Sequence, residues 1–152
     1  MEQYREDVRR LMLAVNHIEG VYGLVAKRIG LKENTLSLLY ALDDGEAHTQ
    51  TQICEAWLIP KTTINTVVKE CIEAGYVTLE AGEHLREKLI RLTQGGRDYA
   101  RGVLKQVYAI ENRAMEKTAK EFSPGFAMAI EKFSEHLRLE AEGYFKESNE
   151  YE

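Results

Sequence analysis

The sequence predicts a mainly helical protein that carries one small β-hairpin. Long stretches repeat apolar residues at steps of three and four, as amphipathic helices require. Helix breakers are scarce, since the 152 residues include only two prolines, Pro60 and Pro124. One short segment, residues 76–92, instead contains two runs of residues that favour strands. Apolar residues make up 44% of the chain and charged residues 30%, which is ordinary for a globular domain.

The first two helices are predicted from apolar periodicity and from the glycines that stop them. The first extends from about Gln3 to Ile29, and Gly30 ends it. One of its faces carries apolar residues at helical spacing: Val8, Leu11, Met12, Val15, Ile18, Tyr22 and Val25. The second helix extends from about Glu33 to Leu42, and the Asp-Asp-Gly sequence at 43–45 stops it.

Two further helices follow on either side of a tight turn. Thr49 and Gln52 have the spacing of a capping box, which predicts a short helix from Gln50 to about Trp57. Pro60 suits the start of the fourth helix because the first turn of a helix does not need that backbone N–H. We expect the fourth helix to extend from about Lys61 to Ala74.

The remaining chain is predicted to form a hairpin and two long helices. Residues 76–79 and 89–92 read as short strands joined by a polar segment. Thr93 is the predicted N-cap of a fifth helix from about Gln94 to Lys120. Ser123 and Pro124 are expected to start a sixth helix. Its apolar residues lie along one side: Phe126, Ile130, Phe133, Leu137 and Ala141.

This order of elements predicts a winged helix-turn-helix with long N- and C-terminal dimerisation helices. Two short helices across a tight turn, followed by a hairpin, are typical of that fold. The terminal helices are too amphipathic to stand alone, and a second copy of the chain is the simplest partner for their apolar faces.

The fourth helix has a polar face whose residues change in character along its length. That face carries threonine, asparagine and lysine near its beginning and acids near its end: Thr62, Asn65, Thr66, Lys69, Glu70 and Glu73. The first residues of a recognition helix contact base edges in the major groove, where Thr and Asn donate and accept hydrogen bonds. Acids would be repelled by phosphate, so they are expected where the helix leaves the groove. An ordinary polar surface helix is the alternative interpretation.

The sequence resembles one family of regulators. The segments from Thr49 to Trp57 and from Pro60 to Val68 resemble the helix-turn-helix of MarR-type regulators. The sequence Glu-Ala-Gly-Tyr-Val at 73–77, Arg86 and Gly96 are similar to that family's wing and its surroundings. The resemblance implies a sequence-specific transcriptional regulator, by default a repressor, that binds double-stranded DNA as a homodimer.

The helix pattern and the resemblance together give the candidate DNA-binding residues: Lys61, Thr62, Thr63, Asn65, Thr66, Lys69, Arg86 and Lys88. The resemblance implies that each recognition helix enters the major groove of one half of a near-palindromic operator. It also implies that Arg86 enters the minor groove, where a narrow groove concentrates negative potential.

The resemblance further implies that a small aromatic or phenolic effector releases the DNA. In the family such molecules bind between the dimer helices and the DNA-binding lobe. The corresponding candidates in this chain are His17, Tyr22, Tyr40 and Tyr108. Aromatic residues at helical spacing are more often part of the core, and that interpretation stays open for each of the four.

We expect one MarR-like domain over residues 1–152. Its winged helix would lie at about 33–93 and its dimerisation region at about 1–30 and 94–150. The net charge of −5 is unusual for a DNA-binding protein, but residues 60–103 alone are slightly basic. The acidic balance also permits another function, a winged-helix protein-interaction module that does not bind DNA.

The cysteines and histidines raise two further alternatives. Cys54 and Cys71 form no CxxC pair, and Cys71 lies on the apolar face of the fourth helix. Packing is therefore favoured over a redox switch, which needs an exposed, electropositive thiol. The four histidines are scattered, at positions 17, 48, 84 and 136, and none has the spacing of zinc ligands. A zinc sensor assembled from distant segments remains an alternative.

Catalysis and a membrane location are not expected from the sequence. It contains neither a glycine-rich phosphate loop nor a nucleophile in a triad motif, so we predict no enzyme activity and no cofactor or metal. No apolar run reaches the ~18 residues of a membrane span, and the polar N-terminus is unlike a signal peptide. The prediction is a cytoplasmic protein.

Overall fold

The computed structural model describes residues 3–57, 59–82 and 88–149, and it confirms the mainly helical class with a small sheet. Its elements in chain order are α1 (Arg5–Arg28), α2 (Glu33–Leu42), β1 (His48–Thr49), α3 (Gln50–Trp57), α4 (Lys61–Glu73), β2 (Val77–Ala81), β3 (Lys88–Leu92), α5 (Gln94–Glu121) and α6 (Phe126–Asn149). The chain divides into two compact units, Met1–Val107 and Tyr108–Glu152. The first unit contains the winged helix, α1 and the beginning of α5.

Side-chain caps begin α3 and α5 as the sequence predicts. The Thr49 backbone N–H donates to Gln52 Oε1 at 2.8 Å, and the Gln52 N–H donates to Thr49 Oγ1 at 3.1 Å. This is a reciprocal capping box. At the start of α5, Thr93 Oγ1 accepts a hydrogen bond from the Gly96 N–H at 2.9 Å. Both caps satisfy helix N–H groups that otherwise lack an intrahelical partner.

Glycine ends α4 because the chain must reverse there through a left-handed conformation. Gly75 has a φ of 74°, a value that L side chains rarely adopt. The Tyr76 N–H donates to the Cys71 carbonyl at 2.8 Å, and the Gly75 N–H donates to the Ile72 carbonyl at 2.9 Å. This pair of bonds is a Schellman motif, which satisfies the last carbonyls of the helix.

The wing belongs to a three-stranded antiparallel sheet of order β1-β3-β2. Val77 pairs with Leu92 and Ala81 with Lys88, while the two residues of β1 pair with β3. The sequence did not predict β1, because two residues are too few to show a strand period. Residues 83–87, which include His84 and the candidate Arg86, lie outside the described part of the chain.

The first unit has a continuous apolar core. Its buried apolar side chains come from α2, α3, α4, β2, β3 and the first half of α5: Leu36, Leu38, Leu39, Leu42, Ile53, Ile64, Val67, Val68, Cys71, Val77, Ile90, Leu92, Ala100, Leu104 and Val107. Among described residues, no buried side-chain nitrogen or oxygen lacks a hydrogen-bond partner. This core fixes α4 against α2 and α3, with the opposite face of α4 in solvent.

A close backbone approach joins the beginning of α5 to the beginning of the wing. A Cβ added at Gly96 would lie 1.8 Å from the Tyr76 carbonyl oxygen, so only glycine fits there. Thr93 Oγ1 donates to the Gly75 carbonyl at 2.7 Å. The rings of Tyr76 and Tyr99 stack with centroids 4.1 Å apart. These contacts hold the end of α4, β2 and α5 together.

The last helix starts later than the sequence predicts. α6 begins at Phe126, whereas Ser123 and Pro124 were expected to be its cap and first residue. Instead, Ser123 Oγ accepts from the Gly125 N–H at 3.2 Å, and the Ser123 carbonyl accepts from the Phe126 N–H at 3.1 Å. Ser123 therefore forms a turn that precedes the helix.

Candidate nucleic-acid interface

The predicted recognition helix presents its polar face to solvent. The apolar residues of α4 at helical spacing predict a buried arc of Ile64, Val67, Val68, Cys71 and Ile72. The first four are buried, but Ile72, near the end of the helix, is 38% exposed. On the opposite side Lys61, Thr62, Thr66 and Lys69 are exposed, and Thr63 and Asn65 are half-buried. The structure thus brings together six of the eight candidate DNA-binding residues on one helix.

The beginning of α4 is suited to an anionic partner. Pro60 is the N-cap and supplies no side-chain hydrogen bond, so the first N–H groups of the helix lack a side-chain acceptor. Such groups, together with the positive end of the helix dipole, bind phosphate readily. From Lys61 to Lys69 the helix carries two lysines and no acid.

One threonine of this face already uses its hydroxyl proton. Thr66 Oγ1 donates to the Thr62 carbonyl at 3.2 Å, one turn back along α4. This bond holds the Thr66 side chain in one orientation and leaves the oxygen lone pairs to accept hydrogen bonds. Thr66 is therefore better suited to accept from an amino group at a base edge than to donate to a phosphate.

An ion pair neutralises one of the two acids near the end of α4. Lys32 Nζ lies 2.7 Å from Glu70 Oε1, which joins the N-cap of α2 to α4. The sequence did not reveal this pair, because 38 residues separate the partners and no spacing rule connects them. Glu70 therefore opposes a DNA phosphate less than its charge alone suggests. Glu73, one turn nearer the helix end, is exposed.

The base of the wing is fastened to the loop that precedes β1. Arg91 Nε lies 3.3 Å from Glu80 Oε2, and an Arg91 guanidinium N–H donates to the Gly45 carbonyl at 3.1 Å. Lys88 is exposed at the first position of β3. Of the two predicted wing contacts, Lys88 is available to solvent, and Arg86 lies outside the described residues.

A cleft of about 400 Å³ lies between α1, α2 and the turn that joins α3 to α4. Tyr22 and Tyr40 line it, together with Trp57, and the rings of Tyr40 and Trp57 meet edge to face with centroids 5.3 Å apart. The structure thus brings two of the four candidate effector residues to one cavity. His17 is exposed on α1 and does not line it, and Tyr108 is half-buried in α5 at the beginning of the second unit.

The cysteines fit packing better than redox chemistry. Burial, and secondly the charge of Glu70, raises the pKa of the Cys71 thiol above its ordinary value. A buried, protonated thiol reacts slowly with oxidants. Cys54 is half-buried on α3. The described residues contain no group of three or more side chains able to hold a metal ion, and none of their helices has the length and hydropathy of a membrane span.

Comparison with known proteins assigns the winged helix to a family. Residues 29–87 match the model of the MarR family. Comparison with curated proteins finds no significant match. The comparison with known families therefore rests on the family model and on similarity to solved structures.

Solved MarR-type regulators share this fold. A MarR family regulator from Neisseria meningitidis is 22% identical, with a TM-score of 0.74 over 94% of this chain and 99% of that one. A MarR family transcriptional regulator from Silicibacter pomeroyi DSS-3 is 20% identical, with a TM-score of 0.72 over 86% of this chain and 93% of that one. Overoxidized AbfR bound to DNA is 16% identical, with a TM-score of 0.62 over 91% of this chain and 97% of that one. This chain therefore has the winged helix-turn-helix fold of MarR-type regulators, and its residues 29–87 match the MarR family model.

Proposed function

We propose that this chain is a sequence-specific DNA-binding transcriptional regulator, which acts as a homodimeric repressor of a near-palindromic operator. The observation that carries the proposal is the solvent face of α4, whose beginning holds two lysines, three threonines and an asparagine with no acid among them. One similar solved structure, that of overoxidized AbfR, is bound to DNA, which supports the same partner here.

Each residue of this face has a defined task in the proposal. The first N–H groups of α4 and the Lys61 ammonium bind phosphate at the edge of the major groove. Thr62, Asn65 and Thr66 read base edges, and Lys69 pairs with phosphate or with guanine. Lys88 and Arg86 bind the DNA beside the wing. The Lys32–Glu70 ion pair reduces repulsion where the helix leaves the groove.

The helices outside the winged helix support dimerisation. None of the described residues of α6 is buried, although the helix carries a stripe of apolar side chains. In α1, which has 24 residues, Ala26 is the one buried residue. A long helix with no buried face is not stable in water by itself, because tertiary packing supplies most helical stability. We propose that residues 1–30 and 94–150 form the dimer and that residues 33–93 form the DNA-binding lobe.

The proposed mechanism is a shift between two dimer conformations. In the DNA-binding conformation the two α4 helices lie about one DNA turn apart, roughly 34–36 Å. A small-molecule effector that binds the other conformation more tightly releases the DNA in proportion to that difference in affinity. This function is not catalytic, and it requires the cytoplasmic location that the sequence predicts.

Selection from a pool of random duplex DNA at ~150 mM salt tests the proposal. We expect enrichment of an inverted repeat whose half-sites lie about one helical turn apart. Lys61→Ala should reduce the affinity for the enriched duplex. Lys120→Ala, which removes an exposed lysine of α5 outside the interface, should leave it unchanged. Enrichment of no sequence, with Lys61→Ala indistinguishable from the parent, would instead favour a protein-interaction module.

A further inference from the structure

We propose that the small-molecule effector of the cleft between α1, α2 and the α3–α4 turn, the region where the family resemblance places such ligands, is an organic cation with an aromatic group. The inference rests on the proposed function, because an effector regulates the chain only if the chain binds DNA. It adds the charge of the ligand. That charge is opposite to that of a phenolate.

The size and the walls of the cleft suit a small aromatic molecule. Its volume of about 400 Å³ lies within the range of small-molecule sites in proteins. Tyr40 and Trp57 form an aromatic corner, with ring planes at 67° to each other, and Tyr22 lines the cleft from α1. Ring faces and edges in such a corner offer contacts to an aromatic ligand and attract a cation.

The charges at the cleft select a cation. Glu19 of α1 and Glu33 of α2 both line it, and no lysine, arginine or histidine is among the described lining residues. The Glu33 carboxylate lies beside Gly23 of α1, where an added Cβ would come within 3.2 Å of Glu33 Oε2. The missing side chain at Gly23 therefore leaves room for the carboxylate between the two helices. Two carboxylates beside aromatic rings attract an ammonium group and repel a carboxylate or phenolate.

The chain does not neutralise these carboxylates with its own basic residues. Lys32, the neighbour of Glu33 in sequence, is engaged with Glu70 at 2.7 Å. In the described residues no lysine or arginine forms an ion pair with Glu19 or Glu33. Within a single chain the negative charge of the cleft is thus open to solvent and to a ligand, since both glutamates are exposed.

A ligand in this cleft would contact the segment that positions the recognition helix. Trp57 is the last residue of α3 and Pro60 is the N-cap of α4, and both line the cleft. A bound cation favours the position of this turn that best encloses it. DNA binding favours the position that places α4 in the groove. Where these positions differ, the ligand weakens DNA binding by its difference in affinity for the two.

Trp57 supplies a direct readout, because it is the single tryptophan of the chain. Free protein is titrated with benzyltrimethylammonium, with benzyl alcohol and with benzoate while tryptophan fluorescence is recorded. The cation should change the fluorescence saturably and bind about tenfold more tightly than the neutral compound, since cation–π and charge contacts act only on the cation. Benzoate should bind more weakly than either.

Matched variants assign the difference to the two carboxylates. The double variant Glu19→Gln, Glu33→Gln should lower the affinity for the cation to that for benzyl alcohol. Glu116→Gln, in the second unit, should change neither the affinity for the cation nor that for benzyl alcohol. If the double variant fails to fold, Glu19→Gln alone is used. This variant should lose part of the preference for the cation over benzyl alcohol. Equal or tighter binding of benzoate, or unchanged cation binding by the carboxamide variants, would overturn the proposal.

A second readout separates this proposal from the DNA-binding proposal. The ligand titration is made without DNA, so its failure leaves the outcome of the DNA selection untouched. With the enriched duplex, the cation should weaken DNA binding over the concentration range in which the Trp57 fluorescence change saturates. In the double variant the cation should not weaken DNA binding. A saturable change in Trp57 fluorescence with unchanged DNA affinity would overturn the effector role of the cleft, while the DNA-binding proposal would stand.

Discussion

The winged helix and the last helix differ in how each meets the requirement for buried apolar surface. In the winged helix, α2, α4 and the sheet contribute side chains such as Leu38, Ile64 and Ile90, which are completely buried. In α6 none of the described side chains is buried, and several large apolar ones are exposed, among them Leu137 at 54% and Phe145 at 65%. The winged helix therefore completes its own core within one chain, whereas α6 needs a further surface.

This difference indicates which properties depend on protein concentration. A lobe with its own core keeps its fold at any dilution, while an apolar helix face is stabilised by mass action with a partner chain. If α6 belongs to a dimer interface, the spacing of the two recognition helices is set by residues that never contact DNA. Three predictions test the comparison, from the largest expected effect to the smallest.

Gly96→Ala should have the largest effect, because it acts on the self-contained core. The new Cβ would lie 1.8 Å from the Tyr76 carbonyl oxygen, so α5 and the wing must separate. We expect a loss of roughly 3–5 kcal/mol in the free energy of unfolding, measured by urea titration. Gly102→Ala is the matched control in the same helix, since its Cβ would meet no atom within 4 Å. That change should leave stability equal or raise it by about 0.5–1 kcal/mol. Equal effects of the two substitutions would contradict the close approach.

Leu137→Glu should disrupt the proposed dimer and leave the winged helix folded. At 100° per residue Leu137 shares a stripe with Phe126, Ile130 and Phe133, and Leu139 lies on the opposite side of α6. We expect Leu137→Glu to weaken self-association at least about tenfold in sedimentation equilibrium, because it buries a charge in an apolar interface. The same substitution at Leu139, which is similarly exposed, should have a smaller effect. A larger effect at Leu139 would place the interface on the other face of α6.

Asp44→Asn should have a small effect that depends on pH. Loss of hydration raises the pKa of Asp44, but the Glu46 N–H and the His48 side chain, 2.8 Å away, together outweigh it and lower the pKa below its ordinary value of 3.8. A carboxyl whose pKa is lower in the folded state stabilises the fold above pH 3.8, and this contribution is lost as the pH falls through the folded value.

Urea unfolding of the wild type and of Asp44→Asn between pH 7 and pH 3 measures this contribution. The wild type should be slightly more stable than Asp44→Asn at pH 7, and the difference should shrink below pH 3.8. In a His48→Gln background the effect of Asp44→Asn should be smaller, because part of the interaction is already absent. A difference that grows on acidification would contradict the assigned cause.

Local chemistry made much of this fold predictable. The capping box at Thr49, the N-cap at Thr93 and the glycine after α4 each act within a few residues, so sequence spacing identifies them. The apolar period of α4 likewise predicted its four buried residues, but it also predicted Ile72 on the same arc, and that side chain is exposed. Strand β1 could not be predicted, because its pairing with β3 depends on residues about forty positions away.

Features of the candidate sites that join distant segments were missed for the same reason. The pairing of Lys32 with Glu70, which changes the charge of α4, has no signature in the sequence. The aromatic candidates Tyr22 and Tyr40 were chosen by type, and the structure brings them into one cleft. Glu19 and Glu33 were not chosen, because their significance appears only once α1 packs against α2 and both carboxylates line that cleft.

The central claim is that the beginning of α4 binds DNA phosphate, and the salt dependence of DNA affinity tests it most directly. For a dimer that neutralises about six phosphates, affinity should fall on the order of a thousandfold between 50 and 200 mM salt. Lys61→Ala removes one contact from each subunit and should reduce the slope of log affinity against log salt by about two, while Lys120→Ala leaves it unchanged. A slope near zero, or an unchanged slope for Lys61→Ala, would contradict the claim.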